Sequence, residues 1–160
     1  MLTQAEVIEL FDYKDGHLYW RQPIGTKMHK GDLAGSLATT GYYQVGVKKK
    51  VYRVHRLIFL HVHGWLPAMI DHVNGNKQDN RIENLRPATR AQNNQNARIR
   101  KDSLSGVKNV AWHKPLKKWL VSMRLNGQHT HIGVFEDLDM AKFVASEFRD
   151  KYHGEFANHG

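Results

Sequence analysis

Apolar and polar positions change period several times along this chain, and each change marks an element. Thr3 followed by Glu6 has the spacing of a capping box, in which each side chain bonds the other's backbone N–H. Val7, Leu10 and Phe11 then recur at helical spacing and predict a short helix with one apolar stripe. Asp15-Gly16 signals a turn, and His17–Trp20 reads as a strand. Residues 22–41 carry Gly25, Gly31, Gly35 and Gly41, which predicts loops between short strands. Tyr42–Lys48 and Val51–Val54 alternate on either side of Lys49-Lys50, as a hairpin would. The stretch His55–His63, HRLIFLHVH, reads as a helix ended by Gly64. Asn74-Gly75-Asn76 is a tight turn, because Asn and Gly tolerate positive φ. Leu85–Ala88 is strand-like. Thr89 with Gln92 is a further capping box, so a helix starts near Arg90 and Asn93 lies one turn into it.

The last third has its own grammar. Gly106–His113 and Lys118–Leu125 read as strands, Asn126-Gly127 as a two-residue hairpin turn, and Gln128–Gly133 as the return strand. Trp119, Val121, Met123 and Leu125 share one face of the middle strand, and Ser122 and Arg124 share the other. Asp137 caps a helix whose stripe is Ala141, Val144, Ala145, Phe148 and Tyr152. The apolar sheet face should therefore pack on this helix and leave the other face polar, basic and aromatic. Such small sheets can enter a DNA major groove.

Composition adds a partner class. The 160 residues suffice for one medium domain or two small ones. Lys and Arg number 24 against 15 Asp and Glu, a formal net charge of +9, which favours polyanions through salt-sensitive, sequence-independent attraction. There is no cysteine, so disulfides and Cys-based zinc ribbons are excluded. The opening MLTQAEVIELF has no basic n-region or cleavage site, and no apolar run approaches a membrane span. The expectation is a soluble protein acting where DNA is, in a bacterial or phage-infected cytoplasm, with no membrane partner. Arg98, Arg100 and Lys101 follow the Arg90 helix, as a helix end with linker or as an arm tracking phosphates.

Candidate chemistry gathers at Asp71, His72 and Asn93. A strand end carrying Asp71 and His72 can face a helix face carrying Asn93, around a volume the size of a hydrated metal ion. Mg²⁺ wants hard oxygen ligands and keeps several waters, so Asp71, Asn93 and a substrate phosphate suffice. A neutral His72 can take a proton from water. This is the chemistry of phosphodiester hydrolysis. His61 and His63 lie two apart, on different helix faces, and do not form a zinc pair.

The segment Ile70–Asn94, with Asp71-His72, Asn84-Leu85 and Asn93, resembles the ββα-metal core of the HNH endonucleases. The variant is the one with asparagine for the last histidine, found in phage and intron-encoded homing enzymes. The resemblance implies His72 as general base, Asp71 and Asn93 as ligands of Mg²⁺ or Mn²⁺, and Asn84 pinning the loop that orients His72. His55-Arg56 resembles a pair of this subfamily and is read as supporting. The stretch from Ser105 to Phe148 resembles the AP2-type DNA-binding domain, through Ser105-Gly106-Val107, Trp112, Lys118-Trp119, Ile132-Gly133 and Phe135. It implies DNA-reading positions at Ser105, Lys108, Val110, Trp112, Ser122, Arg124, His129 and His131. Of the arginines that plant members place there, only Arg124 is present.

The sequence thus predicts an α+β protein: an N-terminal α+β region (1–51), a nuclease core (52–101) and a three-stranded antiparallel sheet backed by one helix (102–160). The implied function is a metal-dependent endonuclease that nicks or cuts double-stranded DNA and leaves 5′-phosphate and 3′-hydroxyl ends, a monomer nicking one strand and a double-strand cut needing two copies or two visits. The alternative is a non-catalytic DNA-binding regulator with a degenerate core.

Overall fold

Thr3 Oγ1 accepts from the Glu6 N–H at 3.3 Å, and Glu6 Oε2 accepts from the Thr3 N–H at 2.9 Å. This reciprocal cap opens α1 (Gln4–Leu10). The computed structural model describes every residue except Pro23, Ile24, Thr26, Arg98, Arg100, Lys101, Asn126 and Gly160. It divides into two compact units, Met1–Thr89 and Arg90–Gly160.

In the first unit, Phe11 departs from expectation. It does not extend the helix stripe but begins β1 (Phe11–Lys14), which pairs antiparallel with β2 (His17–Trp20). The reason is tertiary: Phe11 is registered with Trp20, their rings lie 4.6 Å apart, and both are buried. Burial of two large aromatics outweighs one more helical residue. A second sheet has the order β3 (Ser36–Leu37), β4 (Tyr43–Val47), β5 (Lys50–Arg53). Its hairpin tip is Lys48-Lys49, one residue earlier than the pattern suggested, with φ of 49° and 62°. Two positive φ values match the twist of a two-residue hairpin, and Lys48 Nζ reaches Glu6 Oε1 at 2.6 Å.

Helix α2 (Val54–His63) comes directly after and ends at Gly64, whose φ of 77° lets its N–H close on the Leu60 carbonyl. It buries Leu57, Ile58, Phe59 and Leu60 against Val7, Phe11, Leu18, Trp20, Val45 and Val47. The same core takes Ile70 of β6 (Met69–His72) and Leu85 of β7 (Leu85–Ala88), which pair antiparallel. Residues before and after position 52 therefore share one interior.

The second unit begins with α3 (Arg90–Asn96). Its end is held by Asn158, whose Nδ2 donates to the Asn96 carbonyl at 2.7 Å, and by Lys108, whose Nζ donates to the Gln95 carbonyl. Strands β8 (Val110–His113), β9 (Lys118–Leu125) and β10 (Gln128–Phe135) form an antiparallel sheet in the order β10-β9-β8. β8 is shorter than expected, because Gly106 and Asn109 have φ of 59° and 68° and cannot continue a strand. β10 runs two residues longer than expected, past an irregularity between His131 and Gly133. Asn126, of the expected hairpin turn, lies outside the described residues. Asp137 Oδ1 accepts from the Met140 N–H at 2.8 Å and caps α4 (Leu138–His153), which backs the sheet. The buried stripe of α4 is Ala141, Ala145, Arg149 and His153. Tyr152 instead is exposed and stacks on Phe148. Among the described residues no helix is long and apolar enough to cross a membrane.

Candidate active site

Strand β6 ends on Asp71 and His72, each 5% exposed. The antiparallel register sets Arg86 opposite Asp71. Arg86 donates to Asp71 Oδ2 from Nε at 3.0 Å and from Nη2 at 2.9 Å, an ion pair sheltered from solvent. His72 Nε2 lies 3.0 Å from Asn80 Oδ1. With an amide oxygen there, Nε2 carries the hydrogen and Nδ1 is the proton-accepting nitrogen. Burial holds the His72 imidazole below its ordinary pKa, against opposing contributions from Asn80 and Asp71, so the ring is neutral at pH 7.

Asn80 is almost fully buried, and its backbone has a hard backing. A Cβ on Gly16, in the β1–β2 turn with φ of 80°, would meet the Arg81 nitrogen at 2.8 Å. Only glycine allows that approach. Asn84 ties the loop between β6 and β7. Its Oδ1 accepts from the Asn74 N–H at 3.0 Å, and its Nδ2 donates to Asn74 Oδ1 at 3.1 Å and to the Asp79 carbonyl at 2.7 Å. Asp79 binds the Arg81 guanidinium through both oxygens, which pulls its carboxyl down to about 2.

An aromatic layer lies against His72. His55 of α2 meets it edge to face at 5.1 Å, and Tyr42 lies 5.2 Å from His55 and 6.0 Å from His72. His55 is 3% exposed, and burial, then His72, push it down to about 3, so it too is neutral. Two cations sit on the Tyr42 ring: Arg53 at 4.6 Å and Lys77 at 4.8 Å. Arg56, by contrast, donates to the carbonyls of Pro67 and Ala68 and braces the approach to β6.

The other sequence-derived positions fall in the second unit. Asn93 is on α3. Ser122, Arg124, His129 and His131 share one face of the sheet, since Arg124 is registered with His129 and Ser122 with His131. Val110 and Trp112 stand on the opposite, helix-backed side. Val110 is 6% exposed within the core, and Trp112 is registered with Trp119, 4.8 Å from it. Ser105 precedes the sheet, its hydroxyl bonded to the carbonyls of Val107 and Val110. Lys108 is half-buried in the turn before β8. Arg98, Arg100 and Lys101 lie outside the described residues.

Sequence reasoning missed Tyr42, Asn80 and Arg86. A signal existed for Arg86, because folding residues 69–88 about the Asn74-Gly75 turn sets it opposite Asp71. None existed for Tyr42, which reaches His72 from the bend before β4.

The donor chemistry fits a hard divalent cation. Asp71 offers a buried carboxylate fixed by Arg86 at Oδ2, a hard oxygen donor. There is no sulfur ligand from cysteine. Among the described residues no three His, Cys, Asp or Glu side chains group as a ligand set.

The HNH endonuclease family model matches residues 52–95. The protein entitled Protein 3.8, of Escherichia phage T7, is 30% identical over 112 residues, covering 68% of this chain and 90% of that protein. No solved structure matches the chain.

Proposed function

Since the chain belongs to the family of the phage T7 Protein 3.8 and carries an HNH endonuclease segment at residues 52–95, we infer that it is a metal-dependent endonuclease acting on double-stranded DNA. The observation that carries this reading is His72, buried and neutral, held by Asn80 through one ring nitrogen beside the fixed carboxylate of Asp71. A neutral imidazole with one nitrogen anchored is the arrangement a general base needs.

In this mechanism His72 Nδ1 takes the proton of the attacking water. Asn80 Oδ1 supports the imidazolium that forms, because it already accepts from Nε2–H. Asn84 keeps the loop rigid, so His72 does not drift as charge develops. Arg53 and Lys77, at the edge of the same layer, attract the phosphate to be cut. Asp71, and Asn93 on the residue pattern alone, would hold Mg²⁺ or Mn²⁺, which when bound stabilises negative charge developing on the phosphate and leaving oxygen. Products with 5′-phosphate and 3′-hydroxyl ends follow the resemblance. One nuclease core per chain nicks one strand. The C-terminal sheet, read as AP2-like, presents Ser122, Arg124, His129 and His131 to the DNA.

The test is supercoiled plasmid with Mg²⁺. His72→Ala should lower nicking by about 10²–10⁴-fold, the usual contribution of a general base, while DNA binding persists. Asn80→Ala should lower it by roughly 10-fold, the scale of one lost hydrogen bond. It should also move the acidic limb of the pH–rate profile to lower pH, since Asn80 favours the protonated ring. Identical behaviour of wild type and His72→Ala would leave only a non-catalytic DNA-binding regulator.

A further inference from the structure

The buried stripe of α4 ends in two polar residues, Arg149 and His153, 2% and 8% exposed. Neither is satisfied. Arg149 donates from Nη1 to the Lys108 carbonyl, and its Nη2 lies 3.4 Å from His159 Nδ1, but Nε has no partner. His153 has no partner on either ring nitrogen, and Asn109 Oδ1 is also unpaired. Each buried, unpaired polar group costs about 1–3 kcal/mol, and native structures rarely gather several in one place.

His153 and Asn109 face a single cleft of about 130 Å³, together with Lys108 and Arg124. By liquid volume that is room for roughly four waters, enough for one tetrahedral oxyanion. No Asp or Glu lines it among the described residues. The route to a counter-charge is indirect: His159 Nε2 meets Asp150 Oδ1 at 3.0 Å, and His159 in turn meets Arg149. The cations consequently burden one another. Burial and Arg149 bring Lys108 down to about 8, and burial, Lys108 and Arg149 hold His153 below its ordinary range. A guanidinium cannot relieve this by losing its proton. An anion can.

We propose that this cleft seats one backbone phosphate of a nucleic acid, bound by Lys108 Nζ, the Arg124 guanidinium and an N–H of His153. The anion is assigned to a polymer because the cleft shares Arg124 with the open sheet face. Arg124 lines the cleft and is registered with His129 on that face. Lys108 then acts from a recess as a positioning contact to the backbone and reads no base edge. The identity of the anion rests on the proposed action on DNA; the unpaired pocket does not.

The full chain in EDTA, where no metal-dependent cleavage interferes, is titrated with a labelled DNA duplex across a salt series. Lys108→Gln should weaken binding by roughly 5–10-fold, and the slope of log K against log salt should fall by about 1, one phosphate's worth. Lys118→Gln, an exposed lysine beside Glu136, should leave the slope unchanged. The ring resonances of His153 in the wild-type protein should move on adding duplex, and they provide the readout if Lys108→Gln fails to fold. An unaltered slope in a folded Lys108→Gln protein overturns the proposal. So does a His153 response to inorganic phosphate with none to duplex, which would mark a free-anion site. Absence of nicking by the wild type would count against the nuclease reading and leave this binding test intact.

Discussion

The surroundings of His72 and of His153 treat buried polar side chains in opposite ways. Near His72, Asp71 is matched by Arg86, one ring nitrogen by Asn80, and the Asn84 amide by three backbone and side-chain partners; among the fully buried atoms of these side chains, Asn80 Nδ2 lacks a partner. Near His153, both ring nitrogens, Arg149 Nε and Asn109 Oδ1 go without. A satisfied network fixes geometry before substrate arrives and costs no rearrangement when charge appears. An unsatisfied one carries a penalty that a ligand can relieve. The first suits a site that does chemistry, the second a site that holds on.

The contrast can be broken most forcefully at Arg86. Arg86→Met would leave the buried Asp71 carboxylate without its guanidinium, and a lost buried pair typically costs about 3–5 kcal/mol. Urea unfolding should register a fall of that size; a change near zero would mean that Asp71 is effectively hydrated and the first site is not preorganised.

Acid should act more gently on the same unit. His55 has a folded pKa of about 3 against an ordinary 6.5. Above 6.5 both folded and unfolded chains leave it neutral. Below that, only the unfolded chain gains the proton, so stability falls as pH drops from 6.5 toward 3. By pH 5.5 the loss should be about 1 kcal/mol, and His72, also depressed, adds in the same direction. Urea midpoints at pH 7 and 5.5 measure it, and His55→Phe should flatten the dependence. A wild-type protein equally stable at both values would refute burial of neutral imidazoles.

The smallest effect sharpens the contrast from the other side. His153→Leu, without ligand, should leave stability unchanged or raise it by up to about 1 kcal/mol, because an unpaired polar group gives way to an apolar one. A loss beyond about 2 kcal/mol would show that the ring has a structural partner after all.

How much the sequence discloses depends on range. The Thr3–Glu6 cap, the strand Leu85–Ala88, the middle strand Lys118–Leu125 and the Asp137 cap depend on neighbours two to four residues away, and the structure has each of them. Phe11 defies its local pattern because Trp20, across a turn, decides its state. Asn80 and Tyr42 meet His72 over separations that no local period encodes, while Arg86 is set opposite Asp71 only by the hairpin register. In α4 the difference is one of residue type. Arg149 and His153 occupy the buried stripe, while a hydrophobicity pattern gives those places to Phe148 and Tyr152. Asn93 is legible as a helical residue, but its helix groups by contacts with the second unit.

The bare glycine at position 16 also bears on how the protein can be cut up. The stretch that the family model matches starts at residue 52, yet the turn pressed on the Arg81 backbone comes from far upstream, and so do Phe11, Leu18 and Trp20, into which α2 inserts. A fragment excised at residue 52 would carry Asp71 and His72 with an oily flank and a missing buttress. Moving Asp71 and His72 with their surroundings into another protein therefore means moving residues 1–89 as one block rather than the matched stretch alone.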